Sequence, residues 1–103
     1  MDEQATFCRA DEPDAARLLV RGEIDLAVAG TFASAVKALV DTGRPTVVID
    51  MRDVTFFNST GIGVLCDAAE SARRRGVALV VEPSDHVRRT LEITGLTENF
   101  DLR

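Results

Sequence analysis

The amino-acid sequence predicts an α/β fold, in which helices pack on a mixed, mostly parallel central sheet with antiparallel strands at its N-terminal edge. Short, continuous apolar runs at residues 46–49, counting the threonine methyl group, and at residues 77–81 are typical of strands that are covered on both faces in a parallel sheet. Segments whose apolar residues recur at three- and four-residue steps alternate with these runs, and such helices connect parallel strands. The predicted order is therefore β-β-α-β-α-β-α-β, with right-handed crossovers.

The first half of the chain begins with two strands, at residues 5–9 and 16–23. They flank an acidic turn, Asp-Glu-Pro-Asp, at residues 11–14, whose proline and aspartates favour chain reversal into an antiparallel pair. Asp25 then begins the first helix, because its carboxylate can accept hydrogen bonds from amide groups of the next turn. The helix ends before Gly43. Its apolar face consists of Val28, Phe32, Val36, Leu39 and Val40.

In the second half, the strand at residues 46–51 leads into a helix over residues 59–76, which has one apolar stripe and one charged face. The strand at residues 77–81 follows, and a third helix ends at Gly95. Residues 100–102 are expected to add a last short strand. The apolar residues of the second and third helices are Ile62, Leu65, Cys66, Ala69 and Ala72, and Val87 and Leu91.

Composition and charge exclude several classes of function. The 103 residues are predicted to form one domain, 1–103, which is long enough to bury a core without disulfides or metals. The net charge of -5 argues against unspecific binding to nucleic acid or to an anionic membrane. Cys8 and Cys66 are far apart and His86 is the only histidine, so we expect free, buried cysteines and no metal site. No apolar stretch approaches the ~20 residues of a membrane span, which predicts a cytoplasmic protein.

The polar tetrapeptide Asn58-Ser59-Thr60-Gly61 lies where the central strand leads into the second helix. Helix starts carry a positive partial charge and unpaired amide donors, so a phosphate on Ser59 can be held there. Neither a Gly-x-Gly-x-x-Gly motif nor the Gly-Lys-Ser/Thr ending of a P-loop is present, so the chain is predicted to be a kinase substrate and not a kinase. From the residues alone, a plain N-cap role for Asn58 or Ser59 is the favoured interpretation.

Two adjacent aromatic residues, Phe56 and Phe57, precede this tetrapeptide. In an extended segment their side chains point to opposite faces, so one is expected in the core and the other is expected to be partly exposed. An exposed aromatic side chain beside Ser59 is a natural contact for a protein partner, and a core role for both phenylalanines is the alternative interpretation.

Three blocks of the sequence, in order and at the usual spacing, carry a resemblance to a known family. They are RGEIDLAVAGTFASAV, VVIDMRDVTFFNSTGIGVL and HVRRTLEITGLTENF. The chain resembles a STAS domain of the bacterial anti-sigma factor antagonist type. In that family the serine before a Thr/Ser-Gly pair is phosphorylated by an anti-sigma factor that is also a kinase, which places the acceptor at Ser59. Asp25 corresponds to an acidic residue near that serine, whereas Asn58 stands where aspartate is usual.

The resemblance implies an interaction protein and not an enzyme, without catalytic residues or cofactors. The unmodified protein is expected to bind an anti-sigma factor and so to free a sigma factor, and phosphate at Ser59 is expected to end the binding. A serine phosphatase is the other expected partner. The expected partner-binding residues are Asp25, Phe57, Asn58, Ser59, Thr60, Gly61 and Ile62.

Two alternative functions use the same serine helix. One is a STAS accessory subunit of an ABC-type lipid transporter, in which this helix face binds the ATPase without phosphorylation. The other is a hydrolase that uses Ser59 with His86 and an aspartate, although the Gly-x-Ser-x-Gly elbow of such enzymes is missing.

Overall fold

The computed structural model describes residues 5–103, and it confirms the predicted α/β class and the order of elements. One five-stranded sheet has the strand order β1-β2-β3-β4-β5, with β1 antiparallel to β2 and all other neighbouring pairs parallel. The strands are β1 Ala5–Arg9, β2 Ala15–Ile24, β3 Thr46–Phe57, β4 Ala78–Pro83 and β5 Asp101–Leu102. The helices are α1 Ala29–Val40, α2 Ser59–Arg75 and α3 Asp85–Ile93, and short 3-10 turns span Leu26–Val28 and Thr97–Asn99.

The helices pack on one face of the sheet and form one contiguous core with it. Ala16, Leu18 and Val20 of β2 point to this face and are buried together with residues from all three helices. The ring of Phe7 on the edge strand stacks on the buried Phe32 of α1, with ring centroids 6.0 Å apart. The molecule measures 33 × 33 × 21 Å, and its short dimension accommodates one sheet layer and one helix layer.

Strand β3 is longer than predicted, because it continues beyond Met51 to Phe57. The charged residues Arg52 and Asp53 interrupt the apolar run, but the backbone stays paired with β2 as far as the pair Ile24↔Phe57. Two register shifts each add one residue to β3 relative to β2. These bulges reset the alternation of side chains, so that Val54 and Phe57 both remain buried.

The expectation that both cysteines are buried was wrong for Cys8. It lies on the edge strand β1, and its side chain is exposed, whereas that of Phe7 points toward the core. Alternation along a strand explains the difference, because successive side chains point to opposite faces. Cys66 is partly exposed on α2, and both thiols are free.

The second face of the sheet carries a charged network. The carboxylate of Asp50 is only 7% exposed and accepts hydrogen bonds from Arg52 Nε at 2.9 Å and from Arg52 Nη2 at 2.7 Å. Arg17 Nη1 reaches both Asp50 and Glu82, at 3.4 and 2.7 Å from a carboxylate oxygen. The hydrogen bonds from Arg52 lower the pKa of Asp50, against the opposing effect of its burial. The network therefore stabilises the fold through the ionised form of Asp50.

Replacing Asp50 with asparagine is expected to lower the free energy of unfolding at pH 7 by about 1–3 kcal/mol, since it weakens charged hydrogen bonds at a buried site. The folded-state pKa of Asp50 is depressed, so its contribution is present above the unfolded value and is lost as the pH falls through the folded value. Urea denaturation of both proteins between pH 7 and pH 3 should show the difference shrinking toward acid.

The matched control for this prediction is Asp101→Asn. Asp101 also pairs with an arginine two residues later, Arg103, but its side chain is 48% exposed. Exposed ion pairs contribute little, so we expect a loss below about 0.5 kcal/mol. Equal losses for the two variants would contradict the assignment of a stabilising role to the buried network.

Candidate interaction site at the carboxyl edge of the sheet

Three helical segments begin at the edge of the sheet where the parallel strands β2, β3 and β4 end. The carboxyl ends of parallel strands meet at one edge, and this is where α/β domains place their functional groups. Each strand is followed within two residues by a polar side chain that caps the next segment. The caps are Asp25 Oδ1 accepting from Ala27 N at 3.0 Å, Asn58 Oδ1 accepting from Thr60 N at 3.1 Å, and Ser84 Oγ accepting from Val87 N at 3.1 Å.

Ser59 is the first residue of α2 and its side chain is exposed. The sequence left the N-cap open between Asn58 and Ser59, and in the structure Asn58 is the N-cap. Its side-chain oxygen accepts a hydrogen bond from the backbone N–H of Thr60, and its carbonyl oxygen accepts one from Ile62 N at 3.0 Å. Ser59 is therefore not needed as the N-cap. Its hydroxyl lies at the positive end of a 17-residue helix, in a position that can accept a phosphate.

Close packing beneath Ser59 fixes the position of the helix start. Gly61 is buried, and a Cβ atom built on it would lie 2.5 Å from Phe57 Cε1 and 3.3 Å from Ile24 Cγ2. Phe57 is 2% exposed and Ile62 is 8% exposed. Only a residue without a side chain lets α2 approach the ends of β2 and β3 this closely.

The burial of Phe57, Gly61 and Ile62 corrects part of the predicted partner surface. Since these three residues are buried in the domain, they position the Ser59 turn and do not form its outer surface. Of the other predicted contact residues, Ser59 is exposed, whereas Asp25, Asn58 and Thr60 are partly exposed.

The exposed member of the aromatic pair is Phe56, which is 40% exposed. Its ring lies against that of His86 in the first turn of α3, with centroids 5.8 Å apart and planes tilted by 33°. The adjacency of the two phenylalanines predicted that one would be exposed. The sequence did not reveal which one, because the two bulges in β3 decide the direction of each side chain.

Leu26 was not among the predicted site residues, although it is 76% exposed. It lies in the 3-10 turn that joins β2 to α1, immediately after Asp25. An apolar residue at a helix start is usually interpreted as part of the core face, so no local pattern indicated that the side chain of Leu26 points outward.

Two negative findings concern the described residues, 5–103. They contain no cluster of three or more histidine, cysteine, aspartate or glutamate residues that could hold a metal ion. None of their helices combines the length and the apolar character that crossing a membrane requires.

The carboxyl edge of this α/β domain combines an exposed serine with exposed apolar side chains, a composition that is suited to contact with another protein. The family model described as "STAS domain" matches residues 11–103. The chain belongs to the STAS domain family. This finding confirms the resemblance carried by the three sequence blocks.

Several relatives of the chain are named as anti-sigma factor antagonists. The chain is 33% identical over 87 residues to the "Anti-sigma-B factor antagonist" of Listeria monocytogenes, an alignment that covers 84% of this chain and 76% of the relative. It is 31% identical over 97 residues to the "Anti-sigma-F factor antagonist RsfB" of Mycobacterium tuberculosis, covering 94% and 80%.

Solved structures extend the comparison to the fold. The crystal structure of an anti-sigma factor antagonist from Mycobacterium paratuberculosis superimposes with a TM-score of 0.82 at 30% identity, covering 95% of this chain and 84% of that chain. The unphosphorylated form of the anti-sigma factor antagonist SpoIIAA superimposes with a TM-score of 0.72 at 16% identity, covering 95% and 88%, and shows the shared fold alone.

Proposed function

We propose that this domain is an anti-sigma factor antagonist whose binding is switched off by phosphorylation of Ser59. The observation that carries the proposal is the position of Ser59, which is exposed at the first residue of α2 in a domain whose relatives carry that function. The unmodified edge binds an anti-sigma factor and thereby releases a sigma factor. The modifying kinase is the anti-sigma factor itself, and a serine phosphatase reverses the modification.

The switch acts through charge and volume at a rigid surface. A phosphate adds about -1.5 to -2 charges and three acceptor oxygens. The cap by Asn58 and the packing of Gly61 against Phe57 hold the start of α2 in place, so the domain tolerates the phosphate without refolding. A partner packed over Ser59 must then accommodate a buried charge, which is costly without a matching cation.

Asn58 makes the unmodified helix start less negative than an aspartate would. The amide oxygen of Asn58 still accepts the capping hydrogen bond from Thr60. Without a carboxylate next to it, the phosphate on Ser59 meets less repulsion and is favoured by the helix dipole. The phosphorylated state is therefore compatible with asparagine at position 58, which is the main departure from the usual pattern.

The proposal predicts that phosphate occupancy at Ser59 changes with the physiological state of the source cells. Peptide mass spectrometry of the endogenous protein from several growth states measures this occupancy directly. A strain carrying Ser59→Ala is the control, and it should show no phosphate on this peptide while the domain keeps its melting temperature. A well-observed peptide without phosphate in every state would overturn the switch.

A further inference from the structure

The 3-10 turn after β2 presents a large exposed apolar side chain, Leu26, at the edge of the sheet where Ser59 begins α2. Ile24 and Phe57 are the last paired residues of β2 and β3, and Leu26 and Ser59 each follow two residues later. The turn is held by hydrogen bonds from Ala27 N to Asp25 Oδ1 at 3.0 Å and from Val28 N to the carbonyl oxygen of Asp25 at 3.2 Å. The exposure of Leu26 is therefore a property of a fixed turn.

Exposed large apolar side chains are concentrated at this edge. Among the described residues three large hydrophobic side chains are exposed, and two of them, Leu26 and Phe56, belong to the carboxyl edge. The third, Ile93, is the last residue of α3, which starts at that edge and extends about 12 Å away from it. Exposed apolar residues that cluster around a functional group mark a contact surface.

Gly63 in α2 has no structural reason to be glycine. It is exposed, its φ angle is not positive, and an added Cβ atom would meet nothing within 4 Å. Glycine inside a helix is destabilising relative to alanine, so the fold would gain from a side chain here. Glycine at such a position allows another backbone to approach the helix closely.

We propose that the surface that binds the anti-sigma factor extends beyond Ser59, with Leu26 as its apolar anchor and Gly63 as the point of closest approach of the partner's backbone. This inference rests on the proposed function. It specifies the partner face, which has an apolar pocket for Leu26 and a segment packed flat against the second turn of α2. Gly63 lies four residues after Ser59, so these two exposed residues are on the same face of α2. Leu26 belongs to the segment that follows β2, at the edge of the sheet where α2 also begins.

Leu26→Ala tests the anchor. The purified anti-sigma factors of the source organism are titrated, one at a time, into the unphosphorylated domain and its variants by calorimetry. For the factor that binds the wild-type domain, Leu26→Ala should raise Kd at least tenfold, as expected for a hot-spot side chain. The melting temperature should stay within about 2 °C, since the side chain is mostly outside the fold.

Ile93→Ala is the matched control, because Ile93 is 78% exposed but lies at the far end of α3. It should change Kd less than twofold. An unchanged Kd for Leu26→Ala, or an equal loss for Ile93→Ala, would overturn the anchor.

Gly63→Ala tests the point of close approach, because this variant is expected to be more stable than the wild-type domain and yet to bind the partner more weakly. The variant should raise the melting temperature by roughly 2–6 °C and raise Kd at least fivefold. Unfolding cannot explain a weaker complex of a more stable protein. A variant that binds as tightly as wild type would show that the partner does not reach this turn.

The same titrations distinguish a failure of the proposed function from a failure of the extended binding surface. If none of the anti-sigma factors binds the wild-type domain, the proposed function fails, and the inference fails with it. If one of them binds the wild-type domain and binds the Leu26 and Gly63 variants equally well, only the extended surface fails.

Discussion

Gly61→Ala is expected to lower the free energy of unfolding by about 2 kcal/mol, and Gly61→Val by more, since each adds atoms to a filled site. The new Cβ atom would lie 2.5 and 2.8 Å from two ring atoms of Phe57. Phe57 is 2% exposed and has no room to withdraw, so the start of α2 must move away from the sheet. The same displacement moves Ser59, and partner binding should therefore fall together with stability. Urea denaturation and titration with the partner measure the two effects.

Gly63→Ala is the matched control for the stability part of this prediction. The substitution is the same and lies two residues later in the same helix, but the added Cβ atom meets nothing within 4 Å. The free energy of unfolding should rise by about 0.5–1 kcal/mol, which is the usual gain of alanine over glycine in a helix. A stable Gly61→Ala protein would show that α2 does not pack on Phe57 as described.

The sequence predicted the strands and helices wherever one periodicity dominated. Residues 47–51 of β3 are buried throughout, and most of the predicted apolar residues of α1 are buried. In α2 the prediction holds for Ile62, Leu65 and Ala72, whereas Cys66 and Ala69 are only partly buried. The prediction failed at Arg52 and Asp53, where charge suggested the end of a strand that in fact continues. Pairing with β2 determines that continuation, and pairing between distant segments is not visible in a local pattern.

At the candidate site the sequence predicted the helix start and the capping residues, but it did not predict which side chains face outward. The Asn-Ser-Thr-Gly helix start and the cap by Asp25 follow from local chemistry, since each uses hydrogen bonds within three residues. Which side chains face outward depends on bulges and on the helix packing around them. For this reason Phe57 was placed on the partner surface although it is buried, and Leu26 was missed although it is exposed.

Ser59→Asp is expected to weaken binding to the partner by at least about thirtyfold, on the order of 2 kcal/mol, because a charge at a protein contact must be desolvated or paired. The stability of the free domain should be unchanged or higher by up to about 1 kcal/mol, since an acidic residue at the first position of a helix is favoured by the dipole. Titration of the partner and thermal unfolding report the two quantities separately.

Ser34→Asp supplies the control for added charge alone. Ser34 is exposed on α1 and does not lie at a helix start, so its substitution changes the net charge equally without placing a carboxylate next to Asn58. If both variants bind alike, net charge and not position governs the complex. If Ser59→Asp binds as tightly as wild type, a single charge at the start of α2 does not act as the switch. If Ser59→Asp loses binding while Ser34→Asp does not, and if the Ser59→Asp domain is no less stable than wild type, the switch depends on the position of the charge. That position is the helix start held in place by Asn58, Gly61 and Phe57.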